Sequence, residues 1–503
     1  MKGGRLVSAQ CEAAAPSPTS GAQLWEKTHL SPIDEWADCR ARARLILRTP
    51  AVMLPWVFAL VLSIAEGAIQ AETVGWVIAV ALIAGTLIII AGGNIKLWII
   101  LYPLVFLVPR FKLGDWSQAG ETMFGLQLYD PWILLLLCLW VPKLIATKRL
   151  ELPRVLLLML LALLVIGLWG IRVAPDRGIA VRVGGRVFFE PILLFALVAS
   201  HRWQRSELRA TILLFICVAT IVAGASFFGY WSSFQETREI VRLGTYWEAD
   251  NSLAAVLVGT IPLALGTALA SFGITQQSIV LVALPTMIVG LVLTFTRGAW
   301  IAIMASCGLM FSVIREWLWP ILAVLLVLLM GLLAPRELVE RAASILSYHS
   351  DPSASARLVL WPKVVRLILD RPLTGYGFAG FQVLFSERYD ILSEHAHNVF
   401  LDFALSVGIP GLVVVLLVIG YVLGRTFRAV AKTYGASQDT PILIGLGAGC
   451  AGMLLAGMTD GSIPIWPVLA QAFWFNLALA YAMTTVVQGD LTRFNASPAV
   501  SRR

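Results

Sequence analysis

Apolar runs of about 15 to 20 residues recur along the chain, and they limit its fold more than any other feature. A helix of that length crosses the hydrocarbon layer of a bilayer. The composition agrees, because 58% of the 503 residues are hydrophobic and 14% are charged, whereas soluble domains are about half apolar and about a quarter charged. We therefore predict an all-α, polytopic membrane protein with about 12 to 14 transmembrane helices.

The predicted spans differ in length. The third, fourth and sixth are short enough to be re-entrant or interfacial, which lowers the count of true crossings. The predicted intervals are 51–69, 74–92, 96–109, 128–142, 154–171, 187–200, 210–229, 251–270, 278–295, 298–314, 318–334, 399–423, 441–458 and 465–486.

These spans divide the chain into five segments. A polar tail, 1–48, precedes a block of transmembrane helices, 49–334. A long loop, 335–398, leads to the C-terminal transmembrane helices, 399–486, and to a second tail, 487–503. With the first tail in the cytoplasm, alternation of the spans places both tails inside and the long loop outside.

The distribution of lysine and arginine supports this orientation, because cytoplasmic connectors carry an excess of both. Five clusters of these residues fall inside, and one connector disagrees. Residues 172–186 contain four arginines and fall on the outer side. Two explanations stay open: the local topology differs, or these arginines face something anionic outside.

The charge balance does not point to nucleic acid. The net charge is +8, and arginines that face the anionic cytoplasmic leaflet account for it. No long basic run with interleaved aromatic residues is present. Four of the six cysteines fall within spans and no CxxC pair occurs, so we expect no disulfide framework and no metal site.

The long loop carries its own periodic segment. The stretch ARLVLWPKVVRLILD has apolar residues at helical spacing and predicts a helix on the membrane surface, with Pro362 at its start or at a kink. A literal GxGxxG follows at Gly375, Gly377 and Gly380. A dinucleotide fingerprint requires a preceding strand, and the segment before these glycines is helical in pattern, so we interpret them as a turn.

Two arginines near outer span ends are candidate anion-binding residues. Arg297 is the one charge within residues 278–314, and Arg242 lies in an outer connector. Each is either a side chain that snorkels to the interface or a planar cation that binds phosphate or carboxylate. Asp250 and Asn251, which open the eighth span, are interpreted as helix caps.

The long loop ends with His395, His397 and Asn398 directly before an apolar run. Nine residues after Asn398 comes the stretch GIPG, 408–411, which predicts a break or kink in the outer third of that span. Broken helices at membrane depth line a cavity or are buried in protein. His397 is thus either an interfacial hydrogen-bonding residue or part of a site shared with the two arginines.

Taken together, these motifs resemble those of bacterial O-antigen ligases. His397-Asn398, nine residues and GIPG match their H[NSQ]-x9-G-x-x-G pattern, and the turn Thr296-Arg297-Gly298 resembles their second signature. The stretch RLVLWPKVVRLILDRPLTGYGFAGF looks like the loop helix and glycine turn of the wider O-antigen ligase and polymerase superfamily. The resemblance covers about 240–480. Where the family often has Pro-Asn, this chain has Asp250-Asn251, and its N-terminal tail is long for the family.

The resemblance implies a GT-C-like membrane fold and a lipid-linked glycosyltransferase. The donor is expected to be a glycan on undecaprenyl diphosphate, and the acceptor a hydroxyl of lipid A-core or of another glycan. The expected location is the bacterial inner membrane, among its lipids, with the active site facing the periplasm. No metal, nucleotide or other cofactor is expected, and no nucleic-acid partner.

The resemblance also implies residue roles. His397 corresponds to the essential histidine and is the predicted catalytic residue, while Arg242 and Arg297 correspond to cations that hold the donor diphosphate. Arg357 is expected either to add a phosphate contact or to form an ion pair within the loop. His395 and Asn398 are expected to support His397 in the substrate-binding region.

The chemistry fits these residue types. Negative charge grows on the diphosphate as the glycosidic bond breaks, and guanidinium groups stabilise it without losing their own proton. Imidazole, with a reference pKa of about 6.5, accepts the proton of the attacking hydroxyl near neutral pH.

The sequence is also compatible with other functions. The chain has the features of an O-antigen or exopolysaccharide polymerase, or of a protein O-oligosaccharyltransferase, as much as those of a ligase. A transporter or flippase is the alternative of another class. Transporters typically carry ionisable residues near mid-membrane and internal repeats, whereas the candidate charges of this chain lie near outer span ends.

Overall fold

The computed structural model describes part of the chain, and every regular element in that part is a helix, which confirms the all-α prediction. All described residues belong to one unit, Asn94–Arg503. The predicted spans 51–69, 74–92 and 318–334 lie outside the described residues, which are 95–107, 129–147, 151–237, 243, 250–270, 274–314, 339, 343, 352–381, 384, 389, 395–434, 437–459 and 466–496.

The helices are numbered here in chain order. They are α1 (Ile95–Leu101, continued by a 3-10 helix, Tyr102–Leu107), α2 (Tyr129–Thr147), α3 (Arg154–Val173), α4 (Arg177–Gly184, continued by a π-helical turn, Gly185–Phe189), α5 (Glu190–Ala199), α6 (Arg205–Thr237), α7 (Asp250–Leu269), α8 (Ile274–Leu293), α9 (Arg297–Ile314), α10 (Pro352–Asp370), α11 (Val399–Thr433), α12 (Thr440–Gly457) and α13 (Pro467–Ala496).

Within the described residues, eight helices are long and apolar enough to cross a membrane: α3, α6, α7, α8, α9, α11, α12 and α13. The apolar segments of α1 and α2 are shorter, and α5 spans only ten residues. These three correspond to the intervals predicted to be short. The chain is therefore a multi-pass helical membrane protein.

The helices differ in how much of their surface the protein covers. About nine-tenths of the apolar stretch of α13 is buried, at 89%, whereas only 28% of α3 is buried. Leu158, Val165 and Leu168 of α3 expose more than half of their surface. α13 therefore lies in the interior of the bundle. The exposed apolar side chains of α3 suit contact with lipid, which is as apolar as they are, so α3 forms a lipid-facing edge.

The tightest helix pair is α7 with α12, both largely buried. The backbone carbonyl of Gly259 in α7 occupies the space that a side chain on Gly449 of α12 would need. Small residues at such crossings allow the two backbones to approach closely, which is how helices associate in lipid. Ser306 of α9 also donates a hydrogen bond of 2.5 Å to the Ala448 carbonyl.

Ion pairs join the helices at one end of the bundle, which we call the Asp439 end. The Asp439 carboxylate, fully buried, lies 2.7 Å from Arg205 Nε and accepts a hydrogen bond of 2.8 Å from Arg209 Nε. Lys96 of α1 lies 2.8 Å from Glu207 of α6. The connectors that meet here are among those that the charge pattern assigns to one side of the membrane.

Several helix ends differ from the predicted intervals. Pro362 lies inside α10, which starts ten residues earlier at Pro352, so Pro362 does not start the helix. α11 continues to Thr433 and α13 to Ala496, each about ten residues beyond the predicted end. These extensions are amphipathic or polar, so an apolarity criterion stops before the backbone does.

Candidate functional site

The helix α11 begins where the long loop ends, and Asn398 caps it. The Asn398 Oδ1 accepts hydrogen bonds from the backbone N–H groups of Phe400, at 3.0 Å, and Leu401, at 3.2 Å. These are two of the donors that a helix start leaves without partners. The Asn398 Nδ2 donates to the Met458 carbonyl at 3.2 Å. We call this end of the bundle the histidine end.

The two histidines before the cap contact each other. Their ring centroids are 4.0 Å apart, and the His397 backbone N–H donates to His395 Nδ1 at 3.1 Å. His395 therefore uses the Nδ1 lone pair, which corresponds to the neutral tautomer protonated on Nε2. His395 is buried against the ring of Trp466, 6.2 Å away, whereas His397 is only half-buried.

The backbone of His397 adopts an unusual conformation, with φ of 53°. For a residue other than glycine, the left-handed region costs about 1–2 kcal/mol. Such a conformation persists only where neighbouring contacts hold it.

Asp402 is a site residue that the sequence analysis did not single out. Its side chain is 1% exposed, its Oδ1 accepts the Ala396 N–H at 2.8 Å, and its Oδ2 lies 3.9 Å from His395 Nδ1. A signal for it exists in the sequence. Asp402 is the one charged residue within the predicted span 399–423, and an ionisable residue in a span is a functional candidate by default.

The loop helix α10 contacts the same segment. Trp361 Nε1 donates to the Ala396 carbonyl at 3.0 Å. Arg357 lies four residues earlier on α10 and is half-buried, so it shares the helix face that carries Trp361. Arg357 is thus on the side of α10 that faces His395–Asn398, and its predicted role in phosphate binding stays a prediction.

The predicted break in α11 occurs at Gly408. Its φ is 74° and its ψ is 172°, a combination that is essentially restricted to glycine. A side-chain carbon there would come within 2.5 Å of the Leu373 carbonyl oxygen. The break and the close approach of the loop therefore both require this glycine.

The glycine turn of the loop supplies partners for the backbone groups that the break releases. The N–H groups of Tyr376 and Gly377 donate to the carbonyls of Leu405, at 2.7 Å, and Ser406, at 3.0 Å. In return, Ile409 N–H donates to the Pro372 carbonyl at 2.8 Å. The literal GxGxxG is thus a turn, as predicted, and its N–H groups bond to carbonyls of the broken helix.

The predicted cation Arg297 is the first residue of α9 and is half-buried. The turn before it is linked to α7, because Thr296 Oγ1 donates to Asn251 Oδ1 at 3.0 Å. Phe295 in this turn has a φ of 52°. Asn251 therefore connects the start of α7 to the arginine turn. Because α7 already includes Asp250, the capping role predicted for Asp250 and Asn251 stays a prediction.

Two consecutive residues at the end of α12 join the arginine turn to the histidine segment. Met458 accepts the hydrogen bond from Asn398, and Thr459 packs so closely on Gly298 that a side chain there would overlap its hydroxyl. His397 precedes Asn398 and Arg297 precedes Gly298 in the chain. Both predicted site residues are therefore located at the histidine end, on either side of the α12 terminus.

Arg242 lies outside the described residues. The next residue, Leu243, is buried and donates its N–H to the Leu293 carbonyl at 2.9 Å, four residues before Arg297. The predicted role of Arg242 stays a prediction.

The arginine-rich connector 172–186 also belongs to the histidine end. Gly377 of the loop turn packs against Gly170 and Ala174, and the ring of Phe378 fills the space beside Gly184. The connector forms α4, and both explanations for its arginines stay open. One of its four arginines, Arg186, pairs with Asp130 at 2.7 Å.

Among the described residues, no cluster of three or more histidine, cysteine, aspartate or glutamate side chains is arranged to hold a metal ion. His395, His397 and Asp402 are arranged for hydrogen bonding, with one histidine nitrogen committed to a backbone N–H. The site therefore offers an imidazole, a buried carboxylate and at least one guanidinium at the same end of a helical bundle.

Comparison with known proteins bears on this arrangement. A family model described as O-antigen ligase matches residues 282–416, an interval that contains Arg297, Arg357, the histidine segment and the broken part of α11. The match includes the motifs on which the sequence resemblance rests, and it excludes Arg242. No curated protein matches the chain significantly. Members of this family are glycosyltransferase-like ligases or polymerases. Residues 282–416 of this multi-pass membrane protein are therefore similar to an O-antigen ligase domain, and this match supports an O-antigen ligase-related family.

Proposed function

We propose that the chain transfers a glycan from undecaprenyl diphosphate to an acceptor hydroxyl, as an O-antigen ligase does. The observation that carries the proposal is the contact of Asn398 with Met458 and of Gly298 with Thr459. These consecutive residues link the segments that carry the histidine and the arginine of the two signatures, at one end of the bundle. A general base and a phosphate-binding cation at a membrane interface suit a donor whose lipid is in the bilayer.

In the proposed reaction, the acceptor oxygen attacks the anomeric carbon of the donor glycan. The bond from that carbon to the diphosphate oxygen breaks, and the diphosphate leaves with the electron pair. His397 takes the proton of the acceptor hydroxyl. Arg297, together with Arg242, stabilises the charge that develops on the leaving group. One in-line displacement inverts the anomeric carbon and requires no metal.

The proposed location is the bacterial inner membrane, with the histidine end at the periplasmic face. The two partners are a lipid-linked glycan in the outer leaflet and a glycan acceptor such as lipid A-core. The half-buried position of His397 supports access from outside the bundle, because a fully buried base has no route to an acceptor. Arg357 and Asn398 complete the proposed substrate-binding side.

The direct test is reconstitution of the purified protein in lipid vesicles with an undecaprenyl-diphosphate-linked glycan and three acceptors. Lipid A-core, a second lipid-linked glycan and a pilin-like protein represent ligase, polymerase and protein glycosylation activity. A glycosylated lipid A-core supports the proposal. Movement of the donor across the membrane with no covalent product from any acceptor overturns it in favour of a flippase.

Two substitutions test the residue roles in the same assay. His397→Ala is expected to lower the transfer rate by about 10²–10⁴-fold, because a positioned general base contributes that much. Arg297→Lys is expected to be slow as well, since an ammonium group does not reproduce bidentate phosphate binding. The matched controls are His201→Ala and Arg202→Lys, both located at the opposite end of the bundle, which are expected to keep the normal rate. Full activity of His397→Ala removes the proposed base.

A further inference from the structure

The peptide groups on either side of Ala396 bond to side chains from two helices, α10 and α11, and from the neighbouring residue His395. Asp402 Oδ1 accepts the Ala396 N–H at 2.8 Å, and Trp361 donates to the Ala396 carbonyl at 3.0 Å. The next N–H, that of His397, donates to His395 Nδ1 at 3.1 Å. Three consecutive backbone polar groups thus have specific side-chain partners directly before the predicted catalytic histidine.

This arrangement explains how His397 keeps its left-handed backbone. The conformation costs about 1–2 kcal/mol, and hydrogen bonds to buried partners contribute about 1 kcal/mol each, or more when the partner is charged. The bond to Asp402 involves a carboxylate that is 1% exposed. A buried carboxylate is unfavourable unless it is hydrogen-bonded, so Asp402 and the Ala396 N–H stabilise each other.

We propose that Asp402 is a positioning residue, which sets the direction of the His397 imidazole by fixing the peptide that precedes it. Its second oxygen lies 3.9 Å from His395 Nδ1, on the side where His395 accepts the His397 N–H. That distance is too long for a hydrogen bond, so Asp402 acts on the His397 backbone through its bond to the Ala396 N–H. The inference rests on the proposed role of His397 and extends it to a residue that never touches substrate.

The surroundings of the segment favour this role over simple capping of α11. Asn398 already accepts the free N–H groups of Phe400 and Leu401, so the start of the helix has a cap of its own. Asp402 bonds instead to the chain upstream of the cap. Trp361 and Trp466 also contact the segment, but neither side chain offers a carboxylate oxygen that could accept the Ala396 N–H in place of Asp402.

Amide hydrogen exchange at single-residue resolution gives a test that does not depend on activity. In Asp402→Ala, exchange at Ala396 and His397 is expected to rise at least tenfold. Exchange at Phe400 and Leu401, which Asn398 holds, is the internal control and should stay slow. In Asp402→Asn, whose amide oxygen can still accept the Ala396 N–H, both amides should remain protected. Unchanged exchange in Asp402→Ala overturns the proposal.

Kinetics of the full-length protein provide the second half of the test. Asp402→Ala is expected to lower kcat for transfer by about 10–100-fold while KM for the lipid-linked donor changes less than twofold, and Asp402→Asn should restore most of kcat. A purely structural residue would lower the folded fraction and leave kcat per folded molecule unchanged. Faster exchange with normal kcat therefore overturns the positioning role.

The two halves separate this inference from the proposed function. If the wild type transfers no glycan, the proposed function fails, while exchange still decides whether Asp402 holds the segment. If the wild type is active and exchange does not respond, only the positioning role fails. Asp176→Asn is the matched control, because this aspartate caps α4 and asparagine preserves such a cap; it should change neither measurement.

Discussion

The two ends of the bundle satisfy their polar groups in different ways. At the Asp439 end, charged side chains from different helices pair directly, and no described residue there has a positive φ. At the histidine end, all six described residues with positive φ occur together: Phe295, Gly375, Gly377, Ala379, His397 and Gly408. Arg186 pairs with Asp130 at this end too, but Asn398, Asp402 and Trp361 bond to backbone groups outside their own helix turns.

The difference separates an end that is joined by ion pairs from the end that carries the candidate site. Ion pairs between helices can form with ordinary backbone geometry. Strained backbone conformations are costly, cluster at functional sites and persist where the surrounding structure holds them. The motifs of the matched family lie at the histidine end. Substitutions at the Asp439 end are therefore expected to leave the proposed transfer activity unchanged.

Gly408→Ala, at the histidine end, is expected to have the largest effect on stability. Its φ and ψ suit glycine alone and the new methyl group would meet the Leu373 carbonyl, so we expect a loss of about 3–5 kcal/mol from strain and overlap together. Activity should fall as well. Gly420→Ala in the same helix is the control, because nothing lies near its Cβ position, and it should raise stability slightly. Equal unfolding midpoints for both variants in detergent would contradict the account.

Asp439→Ala tests the opposite end and should have the next largest effect. The substitution leaves two guanidinium groups facing each other without their buried carboxylate. We expect a loss of about 3 kcal/mol, at the lower end for a broken buried pair, because Arg205 is partly exposed. Equilibrium unfolding measures it.

The control for Asp439→Ala is Glu151→Gln, which removes an ion pair with the exposed Arg202 and should change stability little. Transfer activity per folded molecule should stay normal in Asp439→Ala. A large loss of kcat there would mean that the two ends do not divide stability from chemistry.

Ala379→Gly should have the smallest effect and the opposite sign. Ala379 has a φ of 59°, which glycine adopts without a steric penalty. We expect a gain of up to about 1 kcal/mol, measured as a higher unfolding midpoint. A lower midpoint would show that the entropy lost by glycine on folding exceeds the strain relieved.

Much of the fold follows from local sequence. Apolar runs predict the spans, Asn398 stands where a helix cap is expected, and the GIPG stretch correctly predicts the break in α11. Each of these signals depends on residues within one or two turns of each other, so a pattern in the sequence is enough to reveal it.

The contacts that build the site are not local. Nothing near Gly375 or Gly377 indicates that their turn bonds to Leu405 and Ser406, about 30 residues later. The contact between Thr459 and Gly298 joins segments about 160 residues apart. Asp402 could have been noticed as a lone carboxylate in a span, although its partners, which define its role, become visible only when the chain is folded.

The order of synthesis gives the broken helix a particular advantage. Ribosomes make Pro372–Gly377 before they make Leu405–Ile409, so the acceptors and donors that α11 requires already exist when its broken part leaves the tunnel. The carbonyls of Leu405 and Ser406 can therefore be hydrogen-bonded as soon as they are made, without a later part of the polypeptide. A circular permutation that moved the turn downstream of α11 would keep every contact and lose this timing.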